Sequence, residues 1–302
     1  ARLCVIWARY CFGHDRRHQY SEALANVRDL LGDRIQSGSC KRIARRFVYQ
    51  RICSQVDVDM LTIAPRRALL WLYAHSVIHG REHYDHALEL KQGLILCGLH
   101  FSSAYLLLPI LWLHGFSFVG AGAAPRFDLN DILDFTKAFG NVSGTAGSVL
   151  WRTKVDFAGA LAIVHALHAR QAALIFADGL IPRNSTGTAA DLGHRIIRFA
   201  SGTTESELLD CRVAANTSVE WFARQFNGPV LPVKLIRRRS FFHVFIERPL
   251  HRDSAITKQI YRRIEQDMCL HPADWSYWDR LELMRGRTGM EAGSAQQNRR
   301  AS

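Results

Sequence analysis

The sequence predicts an α/β fold, with a mixed central sheet flanked by helices and an N-terminal helical region before it. After residue 90, short apolar runs of strand length alternate with longer segments of helical periodicity, which is typical of α/β proteins. Before that point the spacing is mainly helical. We therefore divide the chain into a helical region (residues 1–88), an α/β core (residues 89–285) and a tail (residues 286–302) whose composition predicts disorder.

The helical region contains three segments with helical spacing. Residues 21–31 end at a Gly-Asp pair, which is a common helix stop, and residues 66–77 follow a proline. Residues 41–56 form a basic amphipathic segment with four arginines. Such a segment is either a solvated helix face or a surface that contacts a membrane.

The core is predicted to contain buried strands separated by helices. The strands are expected at residues 93–99, 116–119, 172–176, 229–236 and 242–246, the last two joined by a hairpin-like connection. The helices are expected at residues 103–114, 130–139, 156–169, 218–226 and 254–270. Residues 180–212 hold few large apolar side chains and are predicted to be a long loop, a kind of segment that often carries function.

Composition and charge limit the function classes. Of 302 residues, 48% are hydrophobic and 22% charged, which excludes fibrous and wholly disordered chains. Lys and Arg number 39 against 27 acids, a net charge of +12, so an anionic partner is expected: nucleic acid, an anionic membrane surface or an acidic protein. No known nucleic-acid motif appears, and the basic residues are dispersed.

Several kinds of site lack their signatures. The cysteine count is odd and contains no Cys-x-x-Cys pair, so we expect reduced thiols rather than disulfides or a zinc site. The Gly-rich stretches do not match a nucleotide-binding motif, and the histidines of residues 79–86 do not form His-Glu-x-x-His. The longest apolar stretch, residues 101–124, is interrupted by Pro109 and His114, so no membrane-spanning segment is predicted.

His100 is the first candidate for chemistry. It directly follows the buried strand predicted at residues 93–99. The carboxyl ends of buried strands are where α/β proteins place reacting groups, so His100 is either a general base or a structural histidine. Ser102 and Ser103 lie beside it without the Gly-x-Ser-x-Gly context of a nucleophilic serine.

Five segments in a fixed order resemble the bacterial lipid A late acyltransferases, the lauroyl and myristoyl transferases of the lysophospholipid acyltransferase superfamily. The first runs from an apolar segment through Gly-x-Glu and a helix to a strand that ends at His100. Others resemble the family's Tyr-Arg-Pro segment, here Ala124-Pro125-Arg126, and its strand ending in Asp, here Asp178. The segments are residues 76–105, 124–130, 173–178, 211–233 and 271–278.

The resemblance implies a glycerolipid acyltransferase-like fold and a bacterial enzyme of lipid A biosynthesis. It implies transfer of a fatty acyl chain from acyl carrier protein or coenzyme A to a lipid or glycolipid hydroxyl, with His100 as general base. Arg126 and Arg212 match substrate-binding positions, and neither metal nor tightly held cofactor is expected. The family usually carries an N-terminal membrane anchor; none is evident here, so peripheral attachment to the cytoplasmic side of the inner membrane is expected.

One departure from the family concerns its signature, a His followed after four residues by Asp or Glu. Tyr105 occupies that second position. A tyrosine can hydrogen-bond to imidazole but is neutral near pH 7, so it cannot stabilise the imidazolium by charge. Three alternatives follow: another carboxylate serves, with Asp178 the candidate; the enzyme acts slowly on a different acceptor; or the protein is an inactive homologue that binds lipid or acyl carrier protein.

Overall fold

The N-terminal part of the chain is helical. The computed structural model describes residues 14–36, 38–121, 149–152, 157–178, 203–251 and 255–281. Three helices come first: α1 (His14–Leu31), α2 (Ser39–Ile63) and α3 (Pro65–Ala74). Pro65 occupies the first turn of α3, where its missing N–H costs no helical hydrogen bond.

A seven-stranded sheet forms the centre of the described structure. Its strands are β1 (Ser76–His79), β2 (Leu94–Leu99), β3 (Phe118–Ala121), β4 (Val149–Arg152), β5 (Ala172–Phe176), β8 (Val230–Arg238) and β9 (Phe241–Ile246). Their order in the sheet is β1-β9-β8-β2-β5-β3-β4. Strand β2 pairs in parallel with both β5 and β8, whereas β8 and β9 form an antiparallel hairpin. The predicted mixed sheet flanked by helices is therefore confirmed.

Strand β1 was not expected. One helix was predicted over residues 66–77, but α3 ends at Ala74 and the chain continues as an edge strand parallel to β9. Val77 and Ile78 are β-branched and suit a strand, and they align with His243 and Val244. The region predicted to be helical therefore also contributes to the sheet.

Two further strands form a separate hairpin. Strands β6 (Thr203–Leu208) and β7 (Cys211–Asn216) pair antiparallel, so the predicted loop over residues 180–212 is wrong in its last part. Leu209 and Asp210 both have positive φ, 50° and 64°, as a two-residue type I′ turn requires. The central residues of that turn are usually Asn-Gly, so the Leu-Asp pair did not indicate a hairpin in the sequence.

Helices cover both faces of the sheet. Alternate residues of β2 enter different apolar clusters: Ile95, Cys97 and Leu99 pack on the side of α1 and the first part of α2, and Leu94 and Leu96 on the side of α3. All five are at most 1% exposed, so β2 is buried on both faces, as its unbroken apolar run predicted. The remaining helices are α4 (Arg81–Glu89), α5 (Leu107–Leu113), α6 (Phe157–His168), α7 (Ser218–Phe226) and α8 (Ile256–Leu270).

The helix predicted at residues 130–139 and the tail at residues 286–302 lie outside the described residues. The segment predicted to be helical at residues 103–114 divides into a 3₁₀ turn (Ala104–Leu106) and α5. Within the described ranges, every helix is too short or too polar to cross a bilayer.

Candidate active site

His100 and Asp178 form a hydrogen-bonded pair at the carboxyl edge of the sheet. Asp178 Oδ1 lies 2.7 Å from His100 Nδ1, and the backbone N–H of His100 donates to Asp178 Oδ2 at 2.9 Å. Both carboxylate oxygens are thus used by one residue. The carboxylate holds the imidazole through the ring and through the main chain, which leaves little freedom in the ring's position.

Strand pairing explains why these two residues meet. In the parallel pairing of β2 with β5, Gly98 aligns with Phe176. His100 and Asp178 each follow those partners by two residues, so they leave the sheet at the same level. A Cβ added at Gly98 would lie 2.8 Å from the Phe176 ring, and Phe176 in turn packs against His100 with ring centroids 4.5 Å apart. A glycine is therefore needed at residue 98 for this packing.

The environments of the two side chains differ. The Asp178 side chain is fully buried, whereas the His100 side chain is 17% exposed. Tyr277 covers the ring from another direction, at 5.1 Å between centroids, and burial together with the nearby Asp178 charge raises the pKa of its phenol. Solvent and substrate can therefore reach part of the imidazole while its carboxylate partner stays dry.

This arrangement determines which nitrogen can act as a base. An ionised carboxylate only accepts hydrogen bonds, so its partner Nδ1 carries the proton. Nε2 then has a free lone pair and can take a proton from a hydroxyl. The Asp178 charge would stabilise an imidazolium formed in this way, as the carboxylate does in catalytic His–Asp pairs.

Tyr105 does not take part in this pair. It lies on the 3₁₀ turn with 56% of its surface exposed, and within the described structure no hydrogen bond joins it to His100. It lies close enough to Tyr277 to contribute to the raised pKa of that phenol. Tyr105 is thus at the rim of the site, and the carboxylate that contacts the imidazole is Asp178.

The structure does not test the two predicted substrate-binding arginines. Arg126 lies outside the described residues. The backbone of Arg212 aligns with Glu207 in the β6–β7 hairpin, while its side chain is not among those described.

A group of polar residues around the loop after His100 had not been predicted. Ser102 has φ +47° and bonds Asp274 twice, its N–H to the backbone carbonyl and its hydroxyl to Oδ1 at 2.6 Å. The Ser276 N–H donates to the His100 carbonyl at 2.9 Å. Since Asp274 lies 172 residues from Ser102, no local sequence pattern could reveal this link.

A buried ion pair fixes the other side of the same loop. Arg237 donates to Asp57 Oδ2 at 2.6 Å, and Ser103 donates to the same oxygen at 3.2 Å. Burial raises the pKa of Asp57 to about 6, against the opposing effects of Arg237 and the Ser103 hydrogen bond. The backbone N–H of Arg237 also donates to the Ser102 hydroxyl. Helix α2, strand β8 and the His100 loop are thereby joined.

In comparisons with known proteins, no protein-family model and no curated protein matches the chain. In the described ranges, no three His, Cys, Asp or Glu side chains converge as metal ligands would.

Proposed function

We propose that the protein is an acyltransferase with a glycerolipid acyltransferase-like core, and that His100 is its general base. The pairing of His100 with the buried Asp178 is the observation that carries the proposal. The buried carboxylate orients the imidazole and would stabilise its protonated form, and the second ring nitrogen is left to accept a proton. General-base catalysis by a His–Asp pair uses both features.

The proposed reaction transfers an acyl group from a thioester to a hydroxyl. His100 Nε2 takes the hydroxyl proton as the oxygen attacks the thioester carbonyl carbon. The tetrahedral intermediate then breaks its carbon–sulfur bond, and the departing thiolate receives the proton from Nε2. The new ester and the free thiol account for every atom, and Asp178 keeps its charge throughout.

The donor in this proposal is acyl carrier protein or acyl-coenzyme A, and the acceptor is a lipid or glycolipid of bacterial lipid A biosynthesis. Both donors are anionic, which suits a chain of net charge +12. Arg126 and Arg212 are the proposed substrate-binding residues, and no metal or resident cofactor is required. In this proposal the protein attaches peripherally to the cytoplasmic side of the inner membrane.

Lipid mass spectrometry tests the proposal. We expect bacteria that express the chain to gain an acylated lipid that is absent from cells expressing His100→Ala. Asp178→Asn keeps the shape of the pair but removes its charge, and should lower transfer by about two to four orders of magnitude. His86→Ala is the matched control, because His86 is an exposed histidine on α4.

Two results would overturn the enzyme proposal. One is that the wild-type chain transfers no acyl group to any lipid hydroxyl, and the other is that His100→Ala transfers as well as wild type. An inactive homologue that binds lipid or acyl carrier protein is then the better description.

A further inference from the structure

One face of the helical region exposes large apolar side chains among arginines. Met60 and Ile63 at the end of α2, Leu70 on α3 and Phe241 at the start of β9 are 47%, 79%, 49% and 44% exposed. Arg66 and Arg67 are exposed on the first turn of α3. We call these six residues the α2–α3 face.

Two elements of this face, α3 and the start of β9, are joined by direct contacts. Trp71, the neighbour of Leu70, packs its ring against His75 at 5.0 Å and against Phe242 at 5.4 Å. The His75 ring lies 5.4 Å from that of Phe241, and the His75 carbonyl accepts from the Phe242 N–H. Helix α3 and the start of β9 therefore hold their exposed side chains in a fixed relation.

The exposed charged residues of the face are arginines. Residues 60–80 and residues 235–246 contain no aspartate or glutamate. Besides Arg66 and Arg67, Arg238 at the end of β8 and Arg239 on the turn that leads to Phe241 are exposed. On α2, Asp59 directly before Met60 is half-buried and accepts a hydrogen bond from Gln55, and Asp57 is buried and paired with Arg237. An anionic partner is therefore favoured at this face.

From these observations we propose that the α2–α3 face docks on an anionic lipid bilayer. Exposed aliphatic side chains gain nothing from a nucleic-acid backbone, whereas they are stabilised when they enter the acyl region of a membrane. Arginines beside them then meet lipid phosphates, and the half-buried Trp71, next to Leu70, suits the headgroup level. An acidic protein partner is the competing occupant, and the experiment below separates the two.

The position of the face relates it to the candidate site. Asp57 lies one helical turn before Met60, and its partner Arg237 donates its backbone N–H to Ser102, two residues after His100. A bilayer on this face would therefore border the loop that carries His100. This proposal deepens the proposed function by naming how the chain meets its membrane acceptor, and it rests on that function only for the identity of the acceptor.

Vesicle sedimentation with the full chain tests the docking. Wild type should bind vesicles that contain phosphatidylglycerol and should bind pure phosphatidylcholine weakly. The double variant Arg66→Glu, Arg67→Glu should lose at least ~30-fold in affinity for the anionic vesicles, since each basic residue near such a surface contributes roughly fivefold. The double variant Ile63→Ser, Leu70→Ser should lose ~10-fold in affinity for the same vesicles. The loss should be clearest at high salt, where the attraction between charges is screened.

The control variants lie on α8. Lys258→Glu, Arg262→Glu makes the same charge change at exposed positions, and Leu270→Ser removes an equally exposed leucine. Neither should change vesicle affinity more than ~3-fold. The docking proposal is overturned if the face variants bind like wild type, if the controls lose as much, or if the face variants lose binding of an acidic acyl carrier protein while vesicle binding persists. His100→Ala should bind vesicles normally, so a failed acyltransferase proposal leaves this test intact.

Discussion

Ser102 makes its hydrogen bonds in a backbone conformation that L-residues with a side chain rarely adopt. Its φ of +47° is compensated by two bonds to Asp274 and by a bond from the Arg237 N–H to its hydroxyl. The Ser276 hydroxyl also donates to the Ser102 carbonyl. Left-handed backbone costs about 1–2 kcal/mol, so these bonds hold a strained residue in place. We therefore expect Ser102 to act as a positioning residue for His100, two positions earlier.

Removal of the Ser102 hydroxyl should therefore loosen the His100 loop. We expect Ser102→Ala to lower the free energy of unfolding by about 2 kcal/mol, since it leaves the buried Asp274 with one partner fewer. In ¹⁵N-labelled protein, the resonance of the His100 Nδ1 proton should broaden or shift. Ser276→Ala, which loses only a 3.3 Å bond, should change neither quantity measurably. An unaltered His100 resonance in Ser102→Ala would show that Ser102 does not position the ring.

The place of Tyr105 at the rim leads to a second expectation. Because Asp178 already contacts the imidazole, Tyr105→Glu adds a carboxylate where the ring makes no bond. Activity in an acyl-transfer assay should stay within about twofold of wild type, whereas Asp178→Asn should lose at least about a hundredfold. Tyr105→Phe is the control for the hydroxyl. A rise in activity with Tyr105→Glu would mean that Asp178 does not supply the charge.

At the level of single residues, the sequence predicted the side chains that lie at the ends of buried strands. His100 and Asp178 each follow a buried apolar run, and parallel neighbours bring such ends together. The Ser102–Asp274 and Asp57–Arg237 links join positions 172 and 180 residues apart. Only the folded chain brings these polar groups together, so no spacing in the sequence indicates them.

At the scale of helices and strands, the Asp57–Arg237 ion pair connects α2 to strand β8. Since the folded-state pKa of Asp57, about 6, exceeds the usual value of an aspartate, its contribution to stability falls as the pH rises from about 4 to 6. Arg237 limits that loss because its charge favours the ionised carboxyl. The link between the two elements is therefore pH-dependent.

Arg237→Met tests this link. At pH 8 the variant leaves a buried carboxyl without its counter-charge, and we expect a loss of about 3 kcal/mol in the free energy of unfolding. At pH 5 Asp57 is mostly protonated in the folded wild type as well, so the loss should be less than half as large. Urea unfolding at both pH values measures this, with the exposed Arg239→Met as control. An equal loss at both pH values would contradict the coupling.

The unexpected elements share a physical cause. Strand β1 is four residues long and is specified by its pairing with β9 rather than by its own pattern. The β6–β7 hairpin has few large apolar side chains, yet Ser206, Leu208, Val213 and Ala215 are buried in alternation. Small and polar residues at buried positions hide the two-residue period that marks a strand. These segments form strands because of their tertiary packing rather than because of the local propensity of their residues.

At the scale of the whole molecule, fold class was predictable and strand order was not. Apolar runs identify the buried strands, but the order β1-β9-β8-β2-β5-β3-β4 brings the first and last strands together at one edge. Within this sheet, β8 and β9 are joined by a short hairpin, which made their antiparallel pairing predictable. The net charge, by contrast, follows from composition alone and predicts long-range behaviour.

A chain of net charge +12 should attract an acidic donor over distance, and this attraction should depend on salt. With acyl carrier protein as donor, kcat/KM should fall by roughly tenfold or more from low to high ionic strength. The reason is that salt at physiological concentration limits the range of attraction between exposed charges to about 8 Å. An uncharged acyl-pantetheine thioester would donate the same acyl group to the same acceptor hydroxyl without a charged carrier, so its kcat/KM should stay nearly constant. Initial rates with both donors across a salt series measure the difference. If the two donors show the same salt dependence, the charge of the chain acts on the acceptor membrane or on the chemical step, and the donor is not steered by it.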